Sequence, residues 1–246
     1  MLEMEEPTTE AKTKRVRKSI TILETDYTKD PNTLEIGVDE AGRGPLFGRV
    51  YAAAVILPKQ DATFDYGILK DSKKFSSPKK RKEVAEYIQQ HALAWSISYE
   101  DEETIDEINI LQATQKSMHS CISETQQKIQ NENNHVNSKL HLLIDGNYFQ
   151  PISHYNKTRK AIEVLPYSCI EGGDNKFACI AAASILAKTA RDDYMEELCD
   201  QHPDLDEKYG LRSNKGYGAK KHRDGIQTFG ITKWHRKTFG ICKSYA

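Results

Sequence analysis

Three observations predict an α/β fold with a central sheet and flanking helices. Apolar runs of strand length, at 34–39, 50–57 and 140–144, are interleaved with longer segments whose apolar residues recur at helical spacing. Two of these runs end abruptly in carboxylates, Asp39-Glu40 and Asp145, as strands do where they run out at a sheet edge. The 246 residues suit one large domain, or one domain with an appendage, and suffice to bury a sizeable core.

Residues 1–32 are rich in Glu, Lys, Thr and Arg and poor in large apolar groups, which predicts a flexible extension. The folded domain is expected over 33–246. Leu34 to Asp39 reads as a strand, and Val50 to Leu57 as a buried strand closed by Pro58. Ser77 followed by Pro78 is a helix start, and Val84, Ile88 and Ala92 then recur at helical spacing. Trp95, Ile97 and Tyr99 alternate with smaller polar residues and predict a strand. A long helix is expected from Asp101 to Gln130, a strand from Leu140 to Ile144 and a fifth strand from Ala161 to Leu165. From Phe177 to Lys188 small residues dominate, so a helix there can pack closely on the sheet.

The net charge of −1 neither announces nor excludes a polyanionic partner. Its distribution says more: from Lys208 to Ala246 there are ten Lys/Arg and one acid, with Tyr217, Phe229, Trp234 and Phe239 interleaved. Cations mixed with rings are the footprint of a nucleic-acid groove, and a solvated basic tail is the plainer reading. The five cysteines, odd in number and without Cys-x-x-Cys spacing, predict a reduced cytoplasmic chain with buried thiols. The N-terminus lacks a continuous apolar core, so neither a secretory signal nor a membrane span is expected.

Asp39, Glu40, Asp145 and Asp174 stand at strand ends and a helix start. Oxygen ligands without His or Cys suit hard cations such as Mn²⁺ or Mg²⁺. Two such ions about 4 Å apart activate water and stabilise a leaving oxygen in phosphodiester hydrolysis. Each acid also has a plain structural reading. Asp39-Glu40 fits a surface loop start, Asp145-Gly146 a hairpin turn, and Asp174 a helix N-cap. In a regular strand Asp39 and Glu40 point to opposite faces, so a shared site requires a twist or break, which Gly42 and Gly44 allow.

These residues belong to a longer series: Asp39-Glu-Ala-Gly-Arg-Gly-Pro45, Asp71-Ser-Lys-Lys74, Ile144-Asp-Gly146, Gly173-Asp174 with Lys176, Ala181-Ala-Ala-Ser-Ile-Leu-Ala-Lys188 with Arg191-Asp192, Lys215-Gly-Tyr-Gly218 and His235-Arg-Lys-Thr-Phe239. In order, over residues 34–240, the series resembles the motifs of type 2 ribonuclease H, specifically bacterial ribonuclease HII. The resemblance implies a ribonuclease H-like fold, with a mixed five-stranded sheet, flanking helices and a helical C-terminal part. It implies an endonuclease that cuts RNA in RNA·DNA hybrids and removes misincorporated ribonucleotides, incising 5′ of a single ribonucleotide in duplex DNA to leave 3′-hydroxyl and 5′-phosphate ends. A monomer is the expected state.

The resemblance places the metal-binding acids at Asp39, Glu40, Asp145 and Asp174, and the junction-sensing loop at Gly42, Arg43 and Gly44. It places the sugar-stacking tyrosine at Tyr217. Lys73 falls near the backbone phosphates, with Ser184 and Lys188 in supporting positions. For Ser184 and Lys188 a purely structural role in a small-residue helix stands beside the functional one, and Arg43 fits an ion pair with an acid as well as a phosphate contact. Phe75, Phe177 and the doubled Gly172-Gly173 depart from the family's usual residues. A binding module that keeps the fold without the reaction usually lacks one of the metal acids, and none is missing here. The arginine-bearing glycine loop and Lys215-Gly-Tyr-Gly218 speak against a resolvase- or transposase-like nuclease on the same fold.

Overall fold

The computed structural model describes residues 22–59, 63–131, 138–156 and 159–246. In chain order the elements are β1 (Thr33–Ala41), β2 (Val50–Ile56), α1 (Pro78–His91), β3 (Ala94–Glu100), α2 (Glu102–Gln130), β4 (Lys139–Asp145), β5 (Ser153–Asn156), β6 (Ala161–Val164), β7 (Tyr167–Ile170), α3 (Ala178–Gln201), α4 (Pro203–Tyr209), α5 (Leu211–Asn214) and α6 (Lys220–Phe229). Helix α1 starts as its sequence predicts: Pro78 holds the first turn and the Ser77 hydroxyl accepts the Lys80 N–H at 3.3 Å. Helix α2 is not continuous. Asn109 takes φ 67° inside it, and its Oδ1 accepts the N–H groups of Leu111 and Gln112, capping a second helical start.

Five strands form one mixed sheet in the order β3-β2-β1-β4-β7. The first three are antiparallel neighbours, and β1, β4 and β7 run parallel. Side-chain alternation gives the sheet two apolar faces. Ile36, Val38, Ala54 and Ile144 face α2, packing with Met118 and Ile122, whereas Ala53, Val55 and Leu143 face α3. The fifth strand of the sheet is β7, not the segment at 161–165 expected from its sequence. That segment, as β6, pairs with β5 in a separate two-stranded ladder. Ile162 and Val164 are exposed there, so the apolar run that suggested a core strand lies on the surface.

Residues 22–32, read above as part of the extension, are held against the domain; 1–21 lie outside the described residues. Leu23 is buried, and Glu24 bridges the entrance of α3 through Glu24 N–H to Lys176 O and Ala178 N–H to Glu24 O, each 2.8 Å. The Tyr27 ring meets Phe177 edge-on at 5.4 Å, and Glu35 accepts the Tyr27 and Thr28 amides. Phe177, one of the departures noted above, thus gives this segment an apolar anchor. The basic stretch from Lys208 is no solvated tail either. Tyr209, Leu211, Ile226 and Cys242 pack with Phe47 and the end of α3 in a core of their own.

Candidate active site

Asp39 and Glu40 lie inside β1 rather than after it, and the register explains how they serve one place. The β1–β2 ladder continues to Ala41 opposite Tyr51, whereas the last β1–β4 pair is Val38 with Ile144. Beyond Asp39, β1 therefore overhangs the end of β4. Asp39 falls level with Asp145, on the face shared by Gly37 and Leu143, and Glu40 reaches the same opening around the uncovered edge. No break in the strand is needed. The plain structural readings fail for all three positions. Gly146 donates to Ile170 O at 3.0 Å with no hairpin, and Asp174 sits in a short 3₁₀ turn (Gly173–Asn175) while Phe177 occupies the N-cap of α3.

The structure brings all eleven predicted site residues into one cavity of about 230 Å³: Asp39, Glu40, Gly42, Arg43, Gly44, Lys73, Asp145, Asp174, Ser184, Lys188 and Tyr217, with Ala41 and Ser72. Burial, then the charges of Glu40 and Asp145, push the Asp39 carboxyl well above the ordinary carboxylate range. Burial raises Glu40 against the pull of Arg43, whose Nη1 lies 3.3 Å from Glu40 Oε1. Burial also raises Asp145, although its Oδ1 accepts the Gly173 N–H at 2.7 Å. Among the described residues no three His, Cys, Asp or Glu side chains close tightly enough to hold an ion alone. The acids form a lining rather than a cage, as expected of like charges held apart by repulsion.

Helix α3 supplies the floor. Its Ser184 hydroxyl hydrogen-bonds Asp39 and lies 3.0 Å from Ser72 Oγ. Lys188 is tied to Asp192 at 2.6 Å, and burial lowers its pKa. Lys73 is exposed at the rim, in a short turn capped by Asp71. Tyr217 is 47% exposed, and a Cβ at Gly44 would stand 3.6 Å from its ring, so the glycine leaves a slot beside the aromatic face. Asn175, missed in the sequence, donates to Asp174 Oδ1 at 2.8 Å, and Arg191 donates to Lys215 O at 2.9 Å and Phe47 O at 3.3 Å. Arg191 had a signal, since it sits in a quoted motif, but its carbonyl partners are distant in sequence.

Behind Tyr217 two buried histidines form a relay. The Tyr217 carbonyl can only accept, so His222 Nδ1, 2.9 Å away, carries the proton. The Thr232 N–H can only donate, so His235 Nδ1 accepts it at 2.9 Å, leaving the His235 Nε2 proton to bridge 3.1 Å to His222 Nε2. Both rings are neutral: burial, then His222, brings His235 down to about 3, and burial lowers His222. An unfolded histidine titrates near 6.5, so below that pH the unfolded chain binds protons that the folded chain refuses. The relay's stability is complete above about pH 6.5 and falls toward pH 3 by about 1.4 kcal/mol per pH unit per proton. The raised site carboxyls contribute the opposite slope, so the readout is wild type minus His235→Gln in urea unfolding. That difference should shrink between pH 7 and pH 4, and a flat difference would refute the neutral relay.

With this geometry in hand, similarity to known proteins is specific. The ribonuclease HII family profile matches residues 36–242. The ribonuclease HII of Parabacteroides distasonis is 46% identical over 208 residues, covering 85% of this chain and 90% of that protein. The fold matches the ribonuclease H2 of Pyrococcus horikoshii with a TM-score of 0.62 at 19% identity, covering 86% of this chain and 96% of that one. It also matches Bst-RNase HIII in complex with Mn²⁺, with a TM-score of 0.61 at 20% identity over 87% of this chain and 69% of that one. The chain belongs to the ribonuclease HII family, and is an endoribonuclease that hydrolyses RNA in RNA·DNA hybrids.

Proposed function

We propose that the enzyme also incises duplex DNA 5′ of a single embedded ribonucleotide, leaving 3′-hydroxyl and 5′-phosphate ends, with Mn²⁺ or Mg²⁺ held by Asp39, Glu40, Asp145 and Asp174. The observation that carries this reading is the sharing of one cavity by the four carboxylates, the Gly42-Arg43-Gly44 loop and Tyr217. The donor set fits the ions: it is all oxygen, and the raised carboxyls of Asp39, Glu40 and Asp145 mark a cluster short of positive charge. Such ions keep waters and substrate phosphates among their ligands, so a lining rather than a closed cage is the arrangement they need. Bound there, they would supply an activated water and neutralise charge on the departing oxygen. A Mn²⁺ complex of a protein with the same fold supports the reading.

The remaining residues act on the substrate directly. Exposed Lys73 and half-exposed Arg43 meet backbone phosphates; Arg43 exchanges its Glu40 contact for one. Loop amides meet the 2′-hydroxyl, the group that separates RNA from DNA at that point, and the Tyr217 face stacks on the neighbouring sugar. Ser184 and Lys188 hold the floor beneath the acids, through Asp39 and Asp192 respectively. A monomer is part of this reading, and among the described residues no helix is long and apolar enough to cross a membrane. Cytoplasmic action is part of this reading.

One gel tests it, comparing all-DNA, hybrid and single-ribonucleotide duplexes with and without the divalent ion. Cleavage is expected on the last two, only with metal. Tyr217→Ala should lower single-ribonucleotide incision by about 10- to 100-fold, the worth of one stacking contact. Unchanged incision by that variant, or cutting of the all-DNA duplex, would overturn the recognition scheme.

A further inference from the structure

Arg236 is fully buried, with 0% of its surface exposed. Its guanidinium donates to four carbonyls of one loop: Nη2 to Gly42 at 2.7 Å, Nη1 to Arg43 at 3.0 Å and to Pro45 at 2.9 Å, and Nε to Gly48 at 2.8 Å. Two backbone ties flank it, Arg236 N–H to Leu46 O and Gly48 N–H to Trp234 O, 2.9 Å each. These acceptors are peptide dipoles, not carboxylates. Burial, then the charge of Arg191, brings the guanidinium down to about 9. Enclosing a cation in this way is costly, and well-packed apolar residues often hold a loop at no loss of stability. The expense points to a task beyond holding the loop in place.

Peptide geometry identifies that task. In a planar trans peptide the C=O of one residue and the N–H of the next point in opposite directions. Drawing the Gly42 and Arg43 carbonyls onto Arg236 turns the Arg43 and Gly44 amides the other way, toward the cavity these residues line. Successive amides turned outward make a concavity for a lone-pair-bearing group. A cation behind them polarises the same peptides and strengthens both N–H groups as donors. We infer that Arg236 is a positioning residue for ribose recognition, setting the direction and donor strength of the Arg43 and Gly44 amides presented to a 2′-hydroxyl. The inference rests on the proposed reading of this loop, and adds the residue, 194 positions from Gly42, that aims it.

The test uses the full-length enzyme and duplexes identical except at one nucleotide, ribo or 2′-deoxy-2′-fluoro. Fluorine retains the electronegative substituent but is a poor acceptor of an amide hydrogen. Arg236→Lys keeps the charge, yet one ammonium cannot span four carbonyls. Wild type should favour the ribo duplex, and in Arg236→Lys the ribo-to-fluoro ratio of kcat/KM should fall about tenfold or more, with the fluoro substrate nearly unaffected. A merely structural Arg236 would lower both rates in proportion and leave the ratio unchanged, which overturns the inference. A wild type that fails to discriminate the two duplexes overturns the reading of the loop itself. Arg236→Gln is measured in the same way should the lysine variant not fold. Independently of any variant, the Arg43 and Gly44 amide resonances of wild type should shift on adding the ribo duplex without metal. They should not shift with the fluoro duplex; equal shifts overturn the reading of the loop.

Discussion

Asp39→Asn should abolish turnover and stabilise the fold at the same time. The loss of activity is expected to be on the order of 10³-fold or more, the scale at which one preorganised electrostatic group is missed in a transition state. The gain has a separate cause. Asp39 is buried, with a carboxyl raised first by burial and then by Glu40 and Asp145. A folded-state pKa above the unfolded value means that folding is favoured below the unfolded pKa and penalised as pH rises through the folded one, by about 1.4 kcal/mol per unit of displacement. Asparagine escapes this penalty, and each kcal/mol recovered should raise Tm by roughly 2–4 °C for a domain of this size. Differential scanning calorimetry at pH 8 and pH 4 checks the sign: the advantage of the variant should be present at pH 8 and shrink at pH 4. Millimolar Mn²⁺ or Mg²⁺ should close the gap at pH 8 by stabilising wild type alone. A variant less stable than wild type at pH 8 without metal would sink the account of the cluster, and wild-type turnover would sink its catalytic assignment.

The same carboxylates show what was legible in the sequence. Strands ending in acids announced that polar chemistry gathers at one sheet edge, and every residue the motif series nominated lines one cavity. What the sequence could not supply was register. Whether Asp39 and Glu40 share a site depends on the β1–β4 pairing ending at Val38 and Ile144, one pair short of Asp39, a relation between segments about a hundred residues apart. Partners of buried polar groups were equally hidden, since Arg236 and Arg191 bind carbonyls, which every residue possesses. The strand at 161–165 was misplaced because an apolar run of strand length looks alike in a core and in a surface ladder. The ordered part of 22–32 escaped notice because its anchors, Leu23 and Tyr27, are few and their receiving surface, Phe177, is remote in sequence.

Gly37→Ala should be the most damaging small substitution outside the cavity. A Cβ there would lie 2.2 Å from the carbonyl carbon of Cys179, 2.4 Å from its oxygen and 2.5 Å from Ile180 N. These are backbone atoms of α3, so trimming a neighbouring side chain offers no relief. The helix must retreat from β1, and Ala181, Ala182 and Ala183, each with no exposed surface, leave it nowhere to tilt without opening the core. Overpacking a core typically costs 1–3 kcal/mol, and a backbone obstacle argues for about 3 kcal/mol or more of the 5–15 kcal/mol that holds a domain together. The damage should extend to the site. Asp39 follows two residues later on the same face, and its Ser184 partner rides on the displaced helix. kcat per folded molecule should therefore fall as well, which a simple loss of stability would not cause. Gly146→Ala is the control that separates space from torsion: it has φ +97° but, among the described residues, nothing within 4 Å of the added carbon. That variant should lose about 1 kcal/mol, the cost of holding a non-glycine residue at positive φ. Urea midpoints decide between them: a Gly37→Ala protein within 1 kcal/mol of wild type, or no less stable than Gly146→Ala, would refute direct strand-to-helix contact as the element that holds Asp39 and Ser184 together.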